Sequence, residues 1–462
     1  MNIAVPPPFL PPSAPRHKGP LSTIGILAAL ARNPIEIWSD FHFEIPVLIG
    51  KTYFGVRAVV SDPAAVRRVF LDNVANYRKD PVQLRVLKPG LGNGLLTADG
   101  ESWKAQRRSL APLFSPRQVA AFAPAMHRVA RAQADAVAGR PDGAIVEAQE
   151  EMALIALKVL EQTLFSQGLA REASQFQQAV TRYFDTIGRI DPLDVLGAPD
   201  FLPRINRLRG KDSLRFFADA VNDIITARRA LIASGATPPE DLLTLLLRAA
   251  DPETGRGMTE EDLRANIVTF IGAGHETTGN ALTWTLYLLS QSPEWRARVE
   301  AEIDEKFDPD DESDPTDRLP VTRAAFEEAM RLYPPAANLT REAISEDWLG
   351  GFRVPAGAVV SISPYVLHRH KTLWRNPDHF DPSRFLPGER EKIDRFAYIP
   401  FGAGPRVCIG QAFAIQEGLI VLAHWLSRMR LDLFPGHPVG LKLRVTLRPS
   451  HGMRMVLRRR GA

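Results

Sequence analysis

The sequence predicts a mainly α fold with small peripheral β-sheets, and three observations carry that expectation. From Ala64 onward, long stretches repeat apolar residues at helical spacing. The β-rich runs are short and lie toward the two ends of the chain. No regular alternation of strand and helix marks a doubly wound parallel sheet. Over 462 residues, 45% hydrophobic and 24% charged side chains are the proportions of a packed globular protein, which excludes a disordered or fibrous chain.

Seven of the first twenty residues are proline, so residues 1–21 read as an extended arm rather than a packed element. Ser22–Arg32 is the first helix candidate. The runs Ile45–Ile49 and Gly55–Ser61, separated by Gly50, predict a small sheet. Glu147–Phe165, Gln175–Gly188 and Ser213–Ser234 show amphipathic helical spacing, with a Pro-, Gly- and Asp-rich loop at Asp191–Pro203. The longest helix candidate is Thr259–Leu289, roughly 46 Å at 1.5 Å per residue, with Thr259 and Asp262 as a capping box. Asp308–Asp317 carries six acidic residues and two prolines and reads as a solvated loop. Strand-like runs follow at Ala358–Tyr365, Lys442–Leu447 and Met453–Leu457. No linker divides two cores, so residues 22–462 are expected to form one domain.

Charge and cysteine usage narrow the function. A net charge of +4 is too small a surplus on so long a chain to argue for nucleic acid. No stretch supplies the roughly 18 apolar residues of a membrane span, and no secretory signal opens the chain. A cytoplasmic protein without a membrane anchor is expected. Cys408 is the one cysteine, which excludes a disulfide framework and a multi-cysteine zinc or iron–sulfur site. A lone thiol of this kind acts as a ligand or a nucleophile, or is inert.

Phe401-Gly402-Ala403-Gly404-Pro405-Arg406-Val407-Cys408-Ile409-Gly410 is the strongest local signal. Its glycines permit an irregular tight loop, and Gly410 lets a flat ligand or another backbone approach. A helix pattern follows, from Gly410 to Arg428, so Cys408 precedes a helix N-terminus, where N–H groups and the dipole favour a thiolate. Such a thiolate suits haem iron and the cleavage of an O–O bond. In mid-helix, Ala273-Gly274-His275-Glu276-Thr277-Thr278 puts Ala273 and Thr277 on one face. Thr277 can bond the carbonyl four residues back, and Glu276 can carry protons. His275-Glu276-Thr277-Thr278-Gly279 begins like a zinc-protease motif, but glycine stands where its second histidine is required, so that reading fails. His368 and His370, in an Arg-rich loop, read as a solvated surface feature.

These segments resemble the cytochrome P450 superfamily. The Cys408 loop matches F-x-x-G-x-R-x-C-x-G at all five specified positions, and Ala273–Thr277 matches A/G-G-x-D/E-T. Glu328 and Arg331 match E-x-x-R, Pro382-Ser383-Arg384-Phe385 stands for the usual P-E-R-F, and Trp103 with Arg107 matches W-x-x-x-R. The resemblance implies the P450 fold and haem b (iron protoporphyrin IX) with Cys408 as axial iron ligand. It implies that Phe401 packs by the thiolate and that Gly410 is among the cofactor-binding residues. Trp103, Arg107, Arg406 and, more loosely, Arg341 would meet the propionates. Ala273 would leave the oxygen groove, Glu276 and Thr277 would relay protons, and Glu328, Arg331 and Arg384 would form a structural triad.

The activity implied is insertion of one atom of dioxygen into an apolar small molecule. Electrons would come from separate partners, a ferredoxin or flavodoxin with an NAD(P)H-dependent reductase, docked on a basic face of Lys104, Arg107, Arg108, Arg117 and Arg406. The substrate pocket would draw on Val82–Leu95, Arg182–Phe201, Phe270, Ala273, Ala336–Leu339 and Ser450–Met453, with Asn338 its one strongly polar side chain. A peroxygenase, isomerase or dehydratase, and a non-enzymatic haem sensor, are the alternatives. The intact Glu276–Thr277 pair disfavours the first group, and the absence of an output domain disfavours the sensor.

Overall fold

Ser22 caps the first helix, α1 (Thr23–Arg32), by accepting the Gly25 N–H at 3.2 Å, so the helix begins where the sequence places it. The computed structural model describes residues 9–52, 55–166 and 211–460. The helix and loop expected at Gln175–Gly188 and Asp191–Pro203 lie outside them, as does the Arg182–Phe201 part of the expected pocket.

Among the described residues the other helices of seven or more residues are α2 (Pro81–Leu91), α3 (Gly100–Leu110), α4 (Ala123–Ala138), α5 (Ala148–Leu160), α6 (Lys211–Ala233), α7 (Leu242–Arg248), α8 (Glu260–Ser290), α9 (Pro293–Lys306), α10 (Pro320–Leu332) and α11 (Gln411–Leu426). Helix α8 is the long one, and Thr259 caps it by accepting the Asp262 N–H at 3.1 Å. The Asp262 carboxylate accepts from the Thr259 hydroxyl, at 2.8 Å, instead of completing the box on the Thr259 backbone. Glycine lets α8 and α5 approach closely: a Cβ on Gly279 would stand 3.0 Å from Ala153 Cα. The largest apolar cluster joins α4, α5, α8, α10 and α11 around Trp284, Leu288, Phe326 and Trp425.

The strands are β1 (Val47–Thr52), β2 (Gly55–Val60), β3 (Tyr77–Lys79), β4 (Ile145–Glu147), β5 (Leu339–Ala343), β6 (Asp347–Leu349), β7 (Phe352–Val354), β8 (Val359–Ile362), β9 (Met429–Leu433), β10 (Leu441–Leu443), β11 (Leu447–Pro449) and β12 (Arg454–Arg459). Five of them form a sheet in the order β1-β2-β8-β5-β3, and its register sets Lys79 opposite Arg341. The three-stranded sheet runs β4-β12-β9. The strand expected over Lys442–Leu447 is instead the turn and flanks of the β10–β11 hairpin, closed by the Arg444 N–H on the Thr446 carbonyl at 3.1 Å.

Two further expectations are corrected. The described part of the proline-rich arm, residues 9–21, is extended but packed: Pro11 is buried, Tyr333 donates to the Pro12 carbonyl at 2.7 Å, and the Ala14 N–H donates to the Tyr365 hydroxyl oxygen at 2.9 Å. Proline removes backbone donors that would otherwise need partners, which suits a strap lying on a core. His368, Arg369 and His370 are buried rather than solvated. Arg369 stacks on Tyr365, 4.3 Å from the ring centre, and pairs with Asp378 at 3.4 Å. Two aromatic faces and the Asp378 carboxylate surround a charge that composition alone assigns to the surface.

Candidate active site

The loop before α11 needs its glycines. Gly402 and Gly404 have φ of +75° and +70°, and a Cβ on Gly404 would fall 1.8 Å from the Phe70 carbonyl oxygen. The Cys408 N–H closes the loop on the Phe401 carbonyl at 2.9 Å. No protein atom comes within 4 Å of where a Gly410 Cβ would stand, so protein packing does not demand glycine there. The Gly410 amide donates to the Cys408 sulfur, and Gly410 caps α11. The sulfur opens on an accessible space yet is enclosed by protein on its other sides. Burial pushes the thiol up, opposed by the Gly410 amide and the charge of Arg107. The Gly410 amide thus acts in the direction the sequence argument expects, against the upward push of burial.

A cluster of cations lies beside this loop. Arg406 pairs with Asp99, donates to the Ala98 carbonyl at 3.1 Å and stacks 4.1 Å over Trp103. Arg341 is buried and pulled down to about 10 by burial and by Arg406. Lys79, across the sheet from Arg341, is pulled down to about 7 by burial and by the same two guanidiniums. Asp99 is the carboxylate these shifts identify near the three cations. Burial also pulls Arg107 down, and Cys408 is the ionisable group coupled to it. Sequence reasoning missed Lys79 and Asp99: Lys79 lies in no motif, and Asp99 was legible only as the cap of α3.

The middle of α8 is the second part. Ala273 is exposed although the helix is buried on both sides of it, at Phe270–Gly272 and from Thr278 to Leu289. An accessible alanine within a buried helix marks a space beside it. Thr277 donates to the Ala273 carbonyl, as the sequence predicts. Glu276 is turned to Arg448 on β11, at 3.4 Å. Burial holds His275, the next polar residue, neutral down to about pH 4, and neither ring nitrogen has a hydrogen-bond partner among the described residues.

Glu328 and Arg331 form the expected buried pair, with Nε and Nη2 of Arg331 on the two carboxylate oxygens at 2.6 and 2.8 Å. Arg384 joins more loosely, 3.6 Å from Glu328. The expected basic face is largely neutralised: Lys104 pairs with Glu101, Arg108 with Asp251 and Arg406 with Asp99. Asn338 has a buried side-chain oxygen without a hydrogen-bond partner among the described residues. Among the described residues no helix is long and apolar enough to cross a membrane, and no group of three or more His, Cys, Asp or Glu could hold a metal ion.

The family profile described as Cytochrome P450 matches residues 15–453. Cyclooctatin synthase of Streptomyces melanosporofaciens is 33% identical over 440 residues, covering 93% of this chain and 92% of that protein. Pentalenene oxygenase of Streptomyces avermitilis is 32% identical over 454 residues, covering 93% and 96%. The crystal structure of the cytochrome P450DA heme domain superposes with a TM-score of 0.82 at 25% identity, covering 97% of this chain and 98% of that one.

Proposed function

The chain belongs to the cytochrome P450 family and is a haem-thiolate monooxygenase, and from that premise we propose that it oxygenates an apolar terpene hydrocarbon or alcohol. The substrate class rests on relatives named for oxygenating pentalenene and cyclooctat-9-en-7-ol, the latter 33% identical over 439 residues.

The residues fit the cofactor, and one observation carries the fit. Among the described residues, Asp99 is the one carboxylate whose charge Lys79, Arg341 and Arg406 all feel, so the cluster keeps a positive surplus. That surplus complements the two propionates of a haem. Cys408 would hold the iron, with Gly410 and Arg107 stabilising its charged form and Phe401 fixing the loop. Trp103, Arg107, Arg341, Arg406 and Lys79 would meet the propionates. The bound haem supplies the activation of dioxygen and the oxygen transfer.

The rest is the work of this chain's own side chains. Ala273 leaves room beside α8, where any longer side chain would fill it. Thr277 holds its hydroxyl proton on the Ala273 carbonyl, so its oxygen can accept from a water. Glu276 is the nearest acid in sequence and carries protons toward that hydroxyl. Electrons are proposed to come from a ferredoxin or flavodoxin. With most of the basic face already paired, docking should depend only weakly on salt.

The test is a spin-state titration of purified holoprotein with cyclic terpenes and terpene alcohols, followed by product analysis with a ferredoxin pair. Binding and oxygenation of a terpene support the reading. Shifts only with fatty acids or aromatic acids overturn the substrate class. Cys408→His should replace the thiolate-type carbon monoxide spectrum by an imidazole type, and a retained thiolate spectrum would refute the ligand assignment.

A further inference from the structure

We propose that Asp99 is the positioning residue of the cation cluster: its fixed carboxylate orients Arg406 and holds Lys79, Arg341 and Arg406 together as the propionate end of the site. The proposal rests on the haem-binding reading above. Backbone amides, not the cations, place this carboxylate. One oxygen accepts the Gly100 N–H and the other the Lys79 N–H, each at 3.0 Å. The first amide opens α3, and the second belongs to β3, whose pairing with β5 sets Lys79 opposite Arg341. Arg406 is then held from one short segment of chain. Nη2 donates to the Asp99 carboxylate and Nη1 to the Ala98 carbonyl at 3.1 Å, and the guanidinium lies 4.1 Å from the Trp103 ring centre. Arg406 stands two residues ahead of Cys408, so Asp99 ties α3 and β3 to the cysteine loop.

The cluster needs an anion of its own. Like charges repel, and the three cations show it: Arg341 and Arg406 push Lys79 down, and Arg406 pushes Arg341 down. Asp99 opposes these shifts in all three. Its side chain is 33% exposed, against 12% for Arg406. Water therefore keeps the carboxylate charged at small desolvation cost while it offsets more deeply buried cations. Capping α3 does not require that charge, because asparagine caps a helix as well as aspartate does. The negative charge at position 99 serves the cluster, and the side-chain acceptor serves the helix. The two roles separate by substitution.

The experiment compares Asp99→Asn with the wild type, as apoprotein and as haem-loaded protein, by thermal melting at neutral pH and by the midpoint potential of the loaded form. Asparagine keeps an acceptor for the Gly100 and Lys79 amides and removes only the charge. The apoprotein of Asp99→Asn should melt several degrees lower, and the loaded protein should lose less than about half as much, since propionates then supply anions. The midpoint potential should rise, because removing a negative charge nearby favours the added electron. Adding Lys79→Met to Asp99→Asn removes one cation for the lost anion, and should recover most of the apoprotein melting temperature. This recovery also decides the matter if Asp99→Asn alone yields no folded apoprotein. Wild-type melting and potential in Asp99→Asn would overturn the proposal and leave Asp99 a helix cap. Equal losses in apoprotein and loaded protein would overturn it, as would a double variant no more stable than Asp99→Asn. If the wild type takes up no haem, the cofactor reading fails, while the double-variant comparison on apoprotein still decides the role of Asp99.

Discussion

Arg331 forks onto Glu328, with Nε and Nη2 at 2.6 and 2.8 Å from its two oxygens and no solvent exposure on either side chain. The remaining donors of Arg331 reach the carbonyls of His368, Pro377 and His379 at 2.6, 2.7 and 2.9 Å. His368 then accepts the Ile399 N–H at 2.9 Å, and the Gly402 N–H rests on the Ile399 carbonyl at 3.0 Å. A buried ion pair on α10 is thus wired, through the His368 carbonyl and imidazole and the Ile399 backbone, to the loop that ends at Cys408.

This wiring ranks the members of the triad. Arg331→Ala strands a buried carboxylate and three carbonyls, a loss of roughly 3–5 kcal/mol. Arg384 is 13% exposed, stands 3.6 Å from Glu328, and its Nε lacks a hydrogen bond. Its removal should cost only about 1 kcal/mol. Arg331→Ala is expected to give mostly insoluble or haem-free protein, and Arg384→Ala a loaded enzyme a few degrees less heat-stable. Haem content per chain and thermal melting check this. Equal losses in the two variants would remove the ranking.

Lys79 predicts a pH dependence of the haem-free protein. Its folded value of about 7 lies below the ordinary 10.5 of lysine. Between those values the unfolded chain binds a proton that the folded chain does not, so folded stability rises with pH across the window. Below about pH 7 both states are charged, and the penalty of the buried cation is fully present. Apoprotein melting temperatures should climb from pH 7 toward 10, and Lys79→Met should flatten the climb. Haem loading should flatten it too, since propionates give the charge a partner. An identical slope in apoprotein, holoprotein and variant would count against the cluster as the anionic end of the cofactor site.

A second pH effect has the same origin and falls at lower pH. The Ser313 carbonyl can only accept, so His127 Nε2 carries a proton and donates to it at 3.0 Å. His127 Nδ1 then accepts from His424 Nε2 at 3.0 Å, and His424 Nδ1 accepts from Arg428 at 3.3 Å. The chain of bonds is complete only with both rings neutral. Burial and neighbouring cations pull His424 down to about 3, and burial pulls His127 below its usual value. Below about pH 6.5 the unfolded histidines take up protons that the folded ones refuse, so stability falls as the pH is lowered toward 3. His424→Gln should lessen the loss of melting temperature between pH 7.5 and 5. A loss as steep as that of the wild type would place the acid sensitivity elsewhere.

Much of this was legible in the sequence because it is local. The cap of α8, the Cys408 loop and the Thr277 back-bond depend on residues within a few positions of one another. Gly404 was legible as a turn residue, but not the Phe70 carbonyl that forbids a side chain there, because Phe70 comes from the far end of the chain. Lys79 acquires meaning only when β3 pairs with β5 and brings it against Arg341. The Arg448–Glu276 pair spans 172 positions and lies in no motif. His368, Arg369 and His370 misled because polar composition signals exposure unless carbonyls and aromatic rings surround it, and those arrive only with the tertiary fold.

Thr277 is where local geometry makes the sharpest claim about chemistry. Its hydroxyl proton is taken up by the Ala273 carbonyl, so its oxygen faces the space beside α8 as an acceptor able to hold a water. Alanine at 277 removes that acceptor and leaves the helix backbone intact, since alanine is the best helix former. Thr277→Ala should therefore keep wild-type haem content, carbon monoxide spectrum and substrate-induced spin shift. Reduced nicotinamide consumption with a competent redox pair should continue, while product per electron pair falls by about tenfold or more and hydrogen peroxide rises to balance it. Thr277→Ser keeps the hydroxyl and should recover most of the coupling. Loss of product without extra peroxide would point to a binding defect. Unchanged coupling in Thr277→Ala would take the threonine out of the proton path. Full activity with hydrogen peroxide and none with any redox pair would shift the assignment to a peroxygenase.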